Sequence, residues 1–150
     1  MDKHNRQSFL GPNSEATLRS SRAVIIGLGG GGSHIGQQLA YVGVGNIFLI
    51  DPDTIDREGT NLNRLIGGTE KDVEDETLKV EIAKRLIQSI DSRIQVHTFD
   101  TPWQENLQVL RGGDVVFGCI DGLMQRRDIE SATRRYMIPY IDIGMDVHKV

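Results

Sequence analysis

Gly27-Leu28-Gly29-Gly30-Gly31-Gly32 is the densest chemical signal in the chain, with an apolar run just before it and Ser33 just after. The spacing is G-x-G-x-x-G between a strand-like and a helix-like segment. The first glycine permits a tight turn, and the second lets a phosphate approach the backbone. The third lets the helix pack closely on the strand, while the helix N-terminus presents partial positive charge. Asp51 ends the next apolar run, Ile47-Phe48-Leu49-Ile50, where a carboxylate can accept hydrogen bonds from ribose hydroxyls. These residues define a nucleotide site without naming the nucleotide. NAD, FAD and ATP all carry ribose and pyrophosphate, and on this signal alone a dehydrogenase is the favoured reading.

Three further features shift that balance. Asn61-Leu62-Asn63-Arg64 lies in a long polar stretch after the second strand, Lys79 opens the following helix, and Asp121 follows another apolar run. A dinucleotide needs no such pair of cations, whereas ATP carries a more highly charged triphosphate and is used with Mg²⁺. Arg64 and Lys79 would neutralise the terminal phosphates, and Asp121 would hold the metal. Each residue alone has an ordinary alternative: a surface ion pair for Arg64, a solvated helix lysine for Lys79, a helix cap for Asp121. Their joint occurrence at one sheet edge favours ATP.

The elements that must position these groups follow from the apolar pattern. Continuous apolar runs predict strands over residues 23–27, 47–50 and 114–120, with further strands at 94–98 and 140–143. Helices are expected over 14–20, 33–42, 78–90, 105–110 and 125–137. Ile35, Leu39 and Val42 should face inward from one, and Val80, Ala83, Leu86, Ile87 and Ile90 from another. The polar stretch 51–76 is too long for a simple connection, so it should be functional or mobile. Alternation of this kind predicts an α/β fold, a doubly wound and mostly parallel sheet in order 3-2-1-4-5 with helices on both faces. The chain stops just after its fifth strand, so a domain truncated at its C-terminus is expected.

Bulk composition narrows the class. A length of 150 residues suits one domain, and no apolar run approaches the roughly 20 residues of a membrane-spanning helix. The polar start lacks the apolar centre of a signal peptide, which makes the cytoplasm the expected compartment. A net charge of −4 argues against a dedicated nucleic-acid binder, and the run Arg126, Arg127, Arg134 and Arg135 reads as solvated surface. The single cysteine, Cys119, excludes an internal disulfide and paired CxxC zinc motifs. In a buried strand it reads as a small hydrophobe rather than a nucleophile. His4, His97 and His148 show no partner spacing, and His34 reads as a surface or capping residue.

With these residues in view, the sequence resembles the ThiF/MoeB/HesA adenylyltransferases and the ubiquitin-activating enzymes. The matching text is Asn5-Arg6-Gln7, GLGGGGS, LAYVGVGNIFLIDPD, NLNR, LKVE and CID, spread over nearly the whole chain in the family's order. The resemblance implies a Rossmann-like adenylation domain over residues 23–150, after an N-terminal segment, residues 1–22, that carries a trans-acting arginine. The implied activity is ATP- and Mg²⁺-dependent adenylation of the C-terminal carboxylate of a ubiquitin-like or sulfur-carrier protein ending in Gly-Gly. Gly29 and Gly31 would approach the nucleotide through their backbones, and Asp51 would hold the ribose. Asn61, Arg64 and Lys79 would contact phosphates, and Asp121 would bind Mg²⁺. Arg6 looks like the arginine that reaches into the partner's site across a homodimer. Asp53 touches ligand or stabilises its own loop.

Two departures stand out. Gly31 replaces a bulkier apolar residue, which should make the loop more pliable, and Gly122 replaces the usual Asn after the metal-binding Asp. Other readings stay open: an NAD- or FAD-dependent oxidoreductase, a non-catalytic nucleotide-binding subunit of the same fold, or, within the enzyme class, tRNA or a peptide as substrate.

Overall fold

The computed structural model describes residues 9–58 and 61–144. Five strands, β1 (Arg22–Ile26), β2 (Asn46–Ile50), β3 (Gln95–Phe99), β4 (Val115–Gly118) and β5 (Tyr140–Asp142), form one sheet in the order β3-β2-β1-β4-β5. Every pairing is parallel, in the order expected from the alternation. The register sets Ile26, Ile50 and Gly118 level at the carboxyl edge, so the segments that follow them leave the sheet side by side.

Residues that alternate along the strands build two cores. On one face Ile25, Ile47, Leu49 and Phe117 pack with Val80, Ala83 and Ile87. Helices α2 (Gly30–Val42) and α4 (Lys79–Ile90) cover that face beside α1 (Ser14–Ser20). On the other face Val24, Ile26, Ile50 and Val116 pack under Trp103, Leu110 and Ile129. Helices α5 (Leu107–Arg111) and α6 (Leu123–Arg135) lie on this side. No described helix is long and apolar enough to cross a membrane.

One expectation needs correction, and a second becomes specific. Val42 is 38% exposed, although Ile35 and Leu39 pack against the core as expected; the most buried residues of α2 are Gly32, Ser33, Gly36 and Ala40, small residues that let it lie close to the sheet. The polar stretch 51–76, expected to be more than a simple connection, has structure of its own and sends Asn61 and Arg64 into the cleft lining. It carries a 3₁₀ turn, Leu62–Arg64, a short helix α3 (Glu70–Glu74) and an isolated bridge from Thr54 to Leu78. Its buried residues Ile55 and Leu65 join Ile82 of α4 in a third core.

Candidate nucleotide-binding site

The strand order reverses between β1 and β4, and in open parallel sheets ligands bind beyond the carboxyl ends at such a point. A cleft of about 1250 Å³ opens there. Gly29, Gly31, Asp51, Asn61, Arg64, Lys79 and Asp121 all line it. A smaller hollow of about 310 Å³ beside Trp103 and α6 shares no residue with it and gathers none of the expected groups.

The glycine loop is held by backbone geometry that other residues could not adopt. Gly27 has φ of +88°, and a Cβ there would lie 2.7 Å from the Cys119 carbonyl oxygen. A Cβ on Gly32 would come within 1.8 Å of the Gly27 carbonyl oxygen, so this glycine is what lets α2 sit on its turn. Gly29 faces open space, with nothing within 4 Å of where its Cβ would be. No side chain caps the first turn of α2.

Asp51 stands at the back of the cleft, 5% exposed. Its Oδ2 accepts from the Leu28 N–H at 2.6 Å, tying the glycine loop to the end of β2, and its Oδ1 accepts from the Asp53 N–H at 2.9 Å. Burial pushes its carboxyl above the ordinary aspartate value, against the pull of those two N–H groups and of Lys79. Lys79 is no solvated lysine: its side chain is 12% exposed, and Nζ donates to Asp53 Oδ2 at 2.7 Å. The Lys79 N–H also donates to the Asp53 carbonyl at 3.0 Å. The second aspartate of the DPD turn therefore anchors the start of α4 and its cation.

Arg64 is exposed toward the cleft, and among the described residues no carboxylate pairs with it. Its loop leans over the glycine turn: a Cβ on Gly30 would lie 3.7 Å from the Arg64 carbonyl oxygen. Ser33, to which sequence reasoning assigns no role, explains part of this. It is 1% exposed, its hydroxyl donates to the Gly30 carbonyl at 3.2 Å, and Oγ accepts from the Ile66 N–H at 3.2 Å. Its place within GLGGGGS was the available signal, but the bond to Ile66 is tertiary.

On the far wall Asp121 is exposed and makes no capping hydrogen bond to α6, whose cap is Gly122. Space beside Gly31 is taken by Ile143, whose Cδ1 would lie 3.1 Å from a Cβ at that position, so a larger residue would require Ile143 to move. Cys119 borders the cleft, and burial pushes its thiol up to about 12. A thiol held in its protonated form suits a packing role and disfavours nucleophilic chemistry. His34 is exposed at the rim, and His97 stacks on Phe48 with centroids 4.5 Å apart, a packing role within the sheet. Of the basic run, Arg126 binds Asp142 through two nitrogens and Arg134 pairs with Glu130. Asn5, Arg6 and Gln7 lie outside the described residues.

A model of the ThiF family matches residues 2–146, and the chain belongs to that family. It is 29% identical over 144 residues to the sulfur carrier protein ThiS adenylyltransferase of Bacillus subtilis, covering 93% of this chain and 42% of that protein. It is 30% identical over 144 residues to the molybdopterin-synthase adenylyltransferase of Haemophilus influenzae, covering 93% and 58%. The chain thus spans about half the length of these relatives. Among solved structures, the E. coli tRNA N6-threonylcarbamoyladenosine dehydratase TcdA in complex with ATP superposes with a TM-score of 0.82. The identity is 25%, and the match covers 99% of this chain and 61% of that one.

Proposed function

We propose that this protein is an ATP-dependent adenylyltransferase that activates the C-terminal carboxylate of a ubiquitin-like or sulfur-carrier protein ending in Gly-Gly. The observation that carries the reading is the convergence, in one cleft at the switch point, of an open glycine loop, a buried ribose-type carboxylate and two cations. Adenylyltransferase relatives and an ATP complex of a structural neighbour support it.

The residues suit the triphosphate. Gly29 leaves the backbone accessible, and Arg64 and Lys79 supply positive charge where phosphates would lie. Asn61 Oδ1 is buried with no hydrogen-bond partner, an open acceptor that a ligand hydroxyl would satisfy, while its amide nitrogen can donate to phosphate. Asp51 keeps part of its accepting capacity for the ribose. Mg²⁺, when bound, would neutralise phosphate charge, and the exposed Asp121, which lines the cleft, would hold it.

The reaction follows from these positions. A carboxylate oxygen of the carrier's terminal glycine attacks the α-phosphorus of ATP. The new O–P bond forms as the bond to the bridging oxygen breaks, and pyrophosphate leaves with that electron pair. An ionised carboxylate needs no general base. The protein's work is to align the reactants and to stabilise charge on the departing phosphates, and Arg64 and Lys79 supply that stabilisation. Arg6, in the N-terminal segment before the 23–150 domain, would complete the partner's site in a homodimer, and the cytoplasm is the proposed compartment.

A tRNA in place of the carrier is the second reading, favoured by the likeness to the E. coli tRNA dehydratase. The test is ATP–pyrophosphate exchange in the presence of a Gly-Gly-ending carrier or of tRNA. Exchange that appears only with the carrier supports the first reading, and exchange only with tRNA supports the second. Nucleotide binding without exchange under either condition would point to a non-catalytic subunit.

A further inference from the structure

The loop that carries Asn61 and Arg64 is exposed at its tip, yet its base is fixed at three successive residues. Leu65 is 5% exposed in the third core against Ile82 of α4, and Ile66 is bound by Ser33. The third anchor is the Gly67 carbonyl, which accepts from Arg85 Nη2 at 3.0 Å. That same guanidinium straddles the buried carboxylate of Asp72, with Nη1 2.9 Å from Oδ1 and Nη2 2.7 Å from Oδ2. Asp72 in turn accepts from the Thr69 N–H and hydroxyl at 2.9 and 2.6 Å, closing the capping box that starts α3.

Arg85 therefore does for the loop what a planar fork alone can do. It holds two oxygens of Asp72 and one carbonyl of the loop at once, from a helix whose first residue is Lys79. The bond to Gly67 lies three residues from Arg64, and the intervening backbone follows a 3₁₀ turn and includes the buried Leu65, so little slack remains. Lys79 is fixed by Asp53 at one end of α4, and the Arg64 loop by Arg85 further along the same helix. The helix thereby sets the distance between the two cations.

We propose that Arg85 is a positioning residue for triphosphate binding: through Gly67 and Asp72 it holds the loop that aims Arg64 into the cleft. This rests on the adenylyltransferase reading only in taking the ligand to be Mg·ATP.

The experiment is calorimetric titration of Mg·ATP into the wild-type protein, Arg85→Ala, Arg85→Lys, Arg64→Ala and the double variant Arg64→Ala/Arg85→Ala. Arg85→Ala should weaken binding by about tenfold when Arg64 is present and by less than about twofold when Arg64 is gone, because its effect passes through Arg64. Arg85→Lys, which restores charge but not the fork, should fall between wild type and Arg85→Ala. Arg93→Ala, which removes a comparable clamp on Asp91 at the other end of α4, should leave the affinity within about twofold of wild type. Equal losses on removing Arg85 with and without Arg64 would overturn the proposal, as would a wild-type affinity in Arg85→Ala. If Arg85→Ala fails to fold, the cycle is run with Arg85→Lys, and an equal loss in both backgrounds overturns the proposal in the same way. A wild-type protein that binds no Mg·ATP would overturn the functional reading itself, a different result from any of these.

Discussion

The two edges of the sheet use the same residue type in opposite ways. At the amino edge Asp91 is 4% exposed and saturated: Arg93 binds it through Nε and Nη2, and Arg19 of α1 donates to it at 2.5 Å. Those guanidinium contacts hold its carboxyl well below the usual carboxylate range. At the carboxyl edge Asp51 is equally buried but has two backbone N–H donors, and burial pushes its carboxyl up. The cations follow the contrast in part: Arg19 and Arg93 are committed to Asp91 and Lys79 is held by Asp53, whereas Arg64 has no carboxylate partner among the described residues. A carboxylate whose demands are fully met locks elements together. One left with spare capacity, beside a cation without a counter-ion, is an arrangement that a ligand can complete.

Substitutions should separate the two edges, and the largest effects belong to the carboxyl edge. Arg64→Ala should lower carrier-dependent ATP–pyrophosphate exchange by roughly 10²–10³, as expected for losing a preorganised charge-stabilising donor, and Asp121→Ala by at least as much. Neither should shift the melting temperature much, because both side chains are exposed. A large stability loss with exchange intact would erase the distinction between the edges.

A complementation experiment tests the proposed homodimer. Arg6→Ala and Asp121→Ala proteins should each be inactive alone, yet recover about a quarter of wild-type activity when co-refolded. Random pairing makes about half the dimers mixed, each with one complete site. Recovery near zero, with mixed dimers demonstrated, would mean that Arg6 does not act across a dimer.

At the amino edge the readout is stability and its pH dependence. Asp91→Ala should cost about 1–3 kcal/mol, because it strands two guanidinium groups and their packing. Asp91 and Asp72 both have lowered folded-state values, each through its arginine first. Their contribution is therefore present above the unfolded carboxylate value of about 4 and is lost progressively as pH falls below it. Asp91→Asn should accordingly differ from wild type at neutral pH and converge toward it on acidification, as followed by thermal melts. A difference that does not change with pH would mean that Asp91 contributes shape and not charge. Asp51 has the opposite sign: with its value raised, ionisation costs stability as pH rises through the range between its unfolded and folded values.

The smallest expected change is at Cys119. Cys119→Ser should leave exchange nearly intact, and a strong loss of exchange at unchanged stability would revive a chemical role for the thiol.

Much of this organisation was legible in the sequence, for identifiable reasons. Strands buried on both faces write themselves as continuous apolar runs, and the alternation with helices led to the observed sheet order. The glycine loop, Asp51 and Asp121 were visible because each sits just past an apolar run, which is where the carboxyl edge must be; Arg64 and Lys79 lie in the segments that leave that edge. The interior of the 51–76 stretch was hidden. Ile55 stands alone among polar residues and Leu62, Leu65 and Ile66 are too few to set a period, so the packing of Ile55 and Leu65 against Ile82 of α4 has no local signal. Val42 misled because the helix face that meets the sheet is built from Gly32, Ser33, Gly36 and Ala40, and hydrophobic patterning undervalues small residues. Ser33, Asp53 and Arg85 act through hydrogen bonds to distant segments, and no local pattern encodes such partners.

Whether the open carboxyl edge is a triphosphate site is tested most directly by titrating the wild-type protein with Mg·ATP and with NAD. Two cations lining the cleft predict measurable binding of Mg·ATP, far weaker binding of NAD, and loss of most of the difference in Arg64→Ala. NAD binding as tight as Mg·ATP, or a preference unchanged by removing Arg64, would contradict the account.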